Sequence, residues 1–146
     1  MIKITKALEN TKKVQILYKR WSVDNKEQYA KIARFWKIVE EYVDCRYLQG
    51  YGTDWSNDNG GDFLYGIIFE NGKLSQEVIN AVRREIPDIK VDNSFSIPAR
   101  YSEIFEGRSV DIDALYDKIW SVGPVAHELE EFSSDGNCKI RVIYKK

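Results

Sequence analysis

The chain has 146 residues, a length that suits one domain with its own core and no need of staples. Hydrophobic residues make up 43% and charged residues 31%, a globular balance rather than a disordered one. Net charge is −1 and no apolar run approaches the ~18 residues of a membrane span, so neither general attraction to nucleic acid nor a transmembrane anchor is expected.

Residues Lys13 to Trp21 read as a strand, with Val14, Ile16 and Tyr18 alternating. A helix is expected near Asn25 to Asp44. Asp24 and Glu27 form a capping-box pattern at its start, and Tyr29, Ile32, Trp36, Val39 and Val43 recur at spacings of 3, 4, 3 and 4. Tyr47 to Trp55 holds a short strand. Ser56 to Gly61 is a turn, and Asp62 to Glu70 is a strand with Phe63, Tyr65, Ile67 and Phe69 on one face. A short helix follows. Ser75 is its cap, Leu74 and Ile79 form a hydrophobic staple, and Pro87 ends it. Ile89 to Ile97 and Arg100 to Glu106 are strands separated by Pro98. Ile112, Leu115, Tyr116, Ile119 and Trp120 mark a helix face that stops at Gly123-Pro124. Glu128 to Phe132 and Lys139 to Tyr144 close the chain as two strands around the turn Ser133 to Asn137.

The order of elements repeats. Trp21-Ser-Val-Asp24 precedes the first long helix and Arg108-Ser-Val-Asp111 precedes the last one. The fold expected is α+β: duplicated β-α-β-β units, about 13–70 and 89–146, forming one pseudo-twofold domain with an antiparallel sheet. A ligand cleft would lie at the seam between the units.

The candidate chemistry is sparse. Cys45 and Cys138 lie far apart without CxxC spacing, and His127 is the only histidine. No metal and no cofactor are expected, and both cysteines read as reduced, partly buried thiols. No Gly-rich phosphate loop, nucleophile elbow or Ser/His/Asp set is present, and His127 reads as a surface or loop residue. The N-terminus lacks an apolar signal region, so the expected setting is cytoplasmic. The unusual feature is aromatic content. Four Trp, nine Tyr and six Phe exceed what packing usually demands, which raises the expectation of a pocket lined with rings.

Several segments resemble GyrI-like domains, the effector-binding domains of AraC-type and multidrug-sensing bacterial regulators. Ile97-Pro-Ala-Arg-Tyr-Ser-Glu-Ile-Phe105 resembles their "IPA-x-Y-x-x-F" strand pair. Ala114 to Trp120 resembles a helix ending in "I-W", and Leu129-Glu-Glu-Phe132 resembles the "F-E-x-Y" strand. Tyr51-Gly52, with Asp62 to Phe69, resembles the first-half "Y-G … Y-x-x-G" segment, and Phe35-Trp36 resembles the first-helix "x-W". The likeness spans nearly the whole chain in short, degenerate motifs. It implies the duplicated β-α-β-β fold and a stand-alone protein that binds lipophilic, often cationic, small molecules.

On that resemblance, Glu130 is the pocket carboxylate. Phe132 shares its strand face, and Trp120, Trp36, Tyr51 and Tyr65 are candidate pocket rings. Glu128 and Glu131 remain alternatives for the inward carboxylate, and Arg141 could neutralise Glu130. Trp36 and Trp120 would serve equally well as helix core, and Tyr51 and Tyr65 as half-buried strand aromatics. Tyr101 and Tyr144 are weaker candidates, and Trp55 is either a pocket rim or a turn anchor. A carboxylate among rings is poorly hydrated and costly unless paired. A lipophilic cation relieves that cost, and each ring face adds roughly 0.5–2 kcal/mol by cation–π attraction.

Regulators of this family read DNA through a separate helix-turn-helix. About a dozen residues precede the first strand here, so no direct nucleic-acid contact is expected and regulation would call for a partner protein. The chain would act as a monomer or homodimer. Two other functions suit the resemblance. One is a small hydrolase opening electrophilic natural products with an acidic residue. The other is a protein inhibitor of gyrase, though no long acidic surface is evident.

Overall fold

The computed structural model describes residues 10–22, 26–58 and 61–145, with side chains in the first helix from Tyr29 onward. Its strands are β1 (Thr11–Trp21), β2 (Leu48–Thr53), β3 (Phe63–Phe69), β4 (Lys90–Pro98), β5 (Glu103–Arg108), β6 (Val125–Phe132) and β7 (Asn137–Tyr144). Its helices are α1 (Lys26–Glu40), α2 (Gln76–Glu85) and α3 (Ile112–Val122). The strands form one antiparallel sheet in the order β4-β1-β3-β2-β6-β7-β5. The α+β class and the antiparallel sheet follow the expectation. β4, which the sequence grouped with the second half, pairs with β1 of the first.

Strand alternation sorts the side chains onto two faces. The helices cover one. Leu17, Trp21, Phe63, Tyr65, Ile67, Phe69, Ile140 and Val142 from the sheet pack there with Phe35, Val39, Val78, Val82 and Ile119 from the helices. Burying each large apolar side chain contributes roughly 1.5–3 kcal/mol. The opposite face carries a smaller cluster of Ile16, Tyr51, Ile68, Ile97 and Leu129.

Local signals placed most elements within a few residues. Ser75 caps α2, its side chain accepting from the Val78 amide. Gly136, in the β6–β7 turn, has φ +86°, a left-handed conformation in which glycine is unstrained. Helix α1 is shorter than expected, and Cys45–Tyr47 forms a separate 3-10 turn capped by Asp44. Of the expected stripe, Val39 and Val43 are buried and Ile32 and Trp36 pack against the core, joined by Phe35 and Ile38, while Tyr29 is 56% exposed. Asp24 and the Glu27 side chain lie outside the described residues, as does part of the Trp21-Ser-Val-Asp24 motif. Among the described residues, no helix is long and apolar enough to cross a membrane.

Candidate functional site

The central strand pair β2–β6 sets Gly50 opposite Glu130 and Gly52 opposite Glu128. Both glutamates therefore project to the helix face, while Leu129 between them and Glu131 after them project to the other. Glu130 and Glu128 are 5% and 4% exposed. The paired glycines leave the space that the carboxylates occupy. A Cβ on Gly52 would stand 2.9 Å from Glu128 Oε1, and one on Gly50 would collide with Glu130 Oε1 and the Tyr65 hydroxyl. Gly within a strand often marks such close approach.

Glu130 is fully engaged. Tyr65 on β3 donates its hydroxyl to Oε1, and Tyr116 on α3 donates to Oε2. Trp36 on α1 donates Nε1–H to the Tyr65 oxygen at 2.8 Å, so the indole orients the phenol. Glu128 is held differently. Its Oε1 lies 3.3 Å from the Tyr116 hydroxyl, and its Oε2 is buried with no hydrogen-bond partner among the described residues. Among the described residues, no ion pair reaches either carboxylate.

The electrostatics follow from this arrangement. Burial pushes Glu128 well above the usual carboxylate range, and the charge of Glu130 pushes it further. Burial also raises Glu130, but the two phenol hydrogen bonds oppose the shift. Burial thus disfavours charge on both carboxylates, and the two phenol donors favour the charged form of Glu130 over that of Glu128. Tyr65 and Tyr116 are raised well above their ordinary value by burial and by the neighbouring glutamates, so both remain donors.

Rings surround the pair. At the Glu130 end, Phe132 meets Trp36 edge-on at 5.2 Å. At the Glu128 end, Trp55 stacks on Phe63 at 5.6 Å, and Trp120 meets Trp55 edge-on at 5.3 Å. A pocket of about 290 Å³, bordered by Asp58, Trp120, Gly123 and Pro124, opens beside Trp120. A larger groove of about 1300 Å³ crosses one end of the sheet, and of the expected pocket residues only Phe132 borders it.

Five of the six expected site residues fall on one side of the sheet: Glu130, Tyr65, Trp36, Phe132 and Trp120. Tyr51 does not join them. It pairs in register with Leu129 and lies in the opposite cluster, 1% exposed, its hydroxyl 2.7 Å from His127 Nδ1. A single residue of register separates Tyr51 from Gly50, and in a strand that reverses the face. His127 is neither a surface nor a loop residue. It is a half-buried β6 residue whose protonation is disfavoured by burial. Arg141 does not neutralise Glu130. It pairs with Glu131 at 2.9 Å on the far face. Cys45 and Cys138 are free thiols.

On sequence grounds Tyr116 marks only a helix face, and Trp55 is either a pocket rim or a turn anchor. Tyr116 stands four residues before Trp120, one helical turn away on the same face, and that spacing is the signal that could have found it. The alternation Gly50-Tyr51-Gly52 was the corresponding signal in β2.

No family model matches this sequence, and no curated protein matches it. Among solved structures, it is similar to an uncharacterized conserved protein from Listeria innocua, with a TM-score of 0.37 at 10% identity over 91% of this chain and 88% of that one. It is also similar to a hydrolase from Listeria innocua, with a TM-score of 0.35 at 13% identity over 91% and 86% of the two chains. Likenesses this weak carry no argument about function.

Proposed function

We propose that this domain is a GyrI-like binding module that takes up lipophilic cations between α1 and α3, against the Glu128–Glu130 pair. The observation that carries the reading is the pair itself: two buried carboxylates, no cationic side chain paired with either among the described residues, and aromatic rings at both ends. Such a site is costly when empty, because a buried charge without a partner lacks both water and counter-ion. A cation with an apolar body removes that cost and gains the ring faces.

The topology agrees with a duplicated origin. β1-β3-β2 in one half of the sheet is mirrored by β6-β7-β5 in the other, and α1 and α3 occupy equivalent places in the two β-α-β-β units. On this reading β4 and α2 are additions to the first unit, and β2–β6 is the seam on which the carboxylates sit.

The test is a titration of the protein with lipophilic cations and their neutral isosteres, followed by tryptophan fluorescence. Saturable quenching by cations, at least tenfold tighter than by the neutral partners, supports the reading. Equal binding of both overturns it.

One observation favours a second reading, a hydrolase. Glu128, raised further by burial and by the charge of Glu130, stands beside a Glu130 whose charged form two phenols favour, and two carboxyls pushed apart in this way suit general acid–base catalysis. Product formation from an epoxide- or cyclopropane-bearing ligand, lost in Glu128→Gln, would favour the enzyme over the binding module.

A further inference from the structure

We infer that Glu128, not Glu130, is the carboxylate that meets the ligand's charge, and that the ligand presents an N–H donor as a protonated amine. This rests on the cation-binding reading and adds to it both the contact residue and the class of cation. Resemblance alone had pointed to Glu130.

Hydrogen-bond accounting separates the two residues. Both Glu130 oxygens already accept phenol hydrogens, from Tyr65 and Tyr116, and Trp36 locks the first phenol in place. Glu130 thus holds the rings and helices around the site. Tyr116 has one hydroxyl hydrogen, and it is committed to Glu130. Among the described residues, Glu128 retains only the long 3.3 Å contact to that hydroxyl, and its Oε2 has no hydrogen-bond partner. A buried oxygen without a donor has lost its water and gained nothing in exchange, so it is the vacant acceptor of the site.

Among the described residues, no cationic side chain pairs with Glu128. Glu130 neighbours it on β6, Gly52 and Val142 flank it on β2 and β7, and Tyr116 faces it from α3. From α1, Tyr29 is close enough to feel its charge. The smaller pocket lies toward the Glu128 end, with Trp55 and Trp120 between them. Trp55, which a Cβ on Gly52 would approach to 3.2 Å, meets Trp120, and Trp120 borders the smaller pocket. An aromatic ligand body in that pocket would direct its amine toward Glu128 past two indoles.

A quaternary ammonium satisfies the charge and the rings but cannot donate to Oε2. A protonated amine does all three. The pair of ligands therefore reads the inference directly.

The experiment uses three arylalkyl skeletons (naphthylmethyl, 4-tert-butylbenzyl and 3-phenylpropyl), each as the protonated dimethylamine, the trimethylammonium salt and a neutral isostere. Binding is measured at pH 7 to the wild-type chain, Glu128→Gln and Glu130→Gln. The wild type is expected to bind the amines at least tenfold more tightly than the trimethylammonium salts. Glu128→Gln should reduce that ratio to within about twofold, while Glu130→Gln weakens both cations and keeps the ratio. Equal binding of amine and trimethylammonium salt by the wild type overturns the inference and leaves the cation-binding reading standing. So does a ratio lost in Glu130→Gln and kept in Glu128→Gln. If neutral isosteres bind as well as cations, or nothing binds, both fall. The wild-type comparison decides the matter even where a variant does not fold.

Discussion

Gly50 and Glu130 are cross-strand partners, and the missing side chain of the first makes room for the hydrogen-bonded carboxylate of the second. A methyl group at Gly50 would strike Glu130 Oε1 and the Tyr65 hydroxyl and stand 3.1 Å from the Trp36 ring. Gly50→Ala is therefore expected to destabilise the fold by about 1–3 kcal/mol, the usual cost of overpacking a dense interior. Urea unfolding followed by tryptophan emission checks this. An unchanged midpoint would mean that the carboxylate has room to swing aside.

Tyr65→Phe and Tyr116→Phe each remove one donor from the charged Glu130. Hydrogen bonds to charged groups contribute roughly 1.5–3 kcal/mol, so each variant should lose stability of that order. Each should also raise the Glu130 pKa, because the phenol bonds oppose the effect of burial. Carboxyl carbon NMR across a pH titration reads the shift. A Glu130 signal that titrates alike in both variants and the wild type would contradict the assigned network.

Glu128 makes stability depend on pH in a definite direction. Its folded-state pKa lies above the unfolded value of about 4.3. The stabilisation is complete below the unfolded value and is lost as pH rises through the folded one. Thermal midpoints should thus fall as pH rises from about 4.3 into the folded-state titration. Burial raises Glu130 too, which adds a contribution of the same sign. In Glu128→Gln most of the decline should vanish, leaving the variant more stable than wild type at pH 8 by on the order of 1 kcal/mol. A wild-type midpoint that rises across this range would contradict a protonated Glu128.

Ligand binding should carry the same proton. An amine pairs with ionised Glu128, so its affinity should rise by about tenfold per pH unit below the folded-state titration and level off above it. Calorimetry in two buffers of different ionisation enthalpy should find close to one proton released per amine bound at the acid end. No proton release there would show that Glu128 is already ionised or is not the partner.

The far face supplies controls. Arg141→Ala breaks the pair with Glu131, in which both side chains are about one-third exposed. It should cost no more than about 1 kcal/mol and leave cation affinity within twofold. Tyr51→Phe should also leave affinity unchanged, while costing roughly 1 kcal/mol for the lost contact with His127. A large change in cation affinity in either variant would place the ligand on the wrong side of the sheet.

Much of this architecture was legible in the sequence. Alternation at Phe63, Tyr65, Ile67 and Phe69 determined a strand and its buried face, because a period of two has one outcome when one face is covered. Ser75, Pro87, Gly123 and Gly136 marked ends and turns through local backbone constraints. The clustering of Glu130 with Phe132 also follows from strand geometry alone, since i and i+2 share a face.

Only the tertiary structure decided the rest. Whether Tyr51 or Gly50 shared the face of Glu130 depended on the β2–β6 register, and a shift of one residue exchanges them. Likewise, Arg141 was a candidate partner of Glu130 until the pleat set it beside Glu131. The division of labour between Glu128 and Glu130 was beyond any local reading, because the deciding hydroxyls belong to Tyr65 and Tyr116, 65 and 14 residues away from Glu130 along the chain. Sequence specifies which side chains can donate. Which carboxylate receives them is settled only when α3 and β3 close on the central strands.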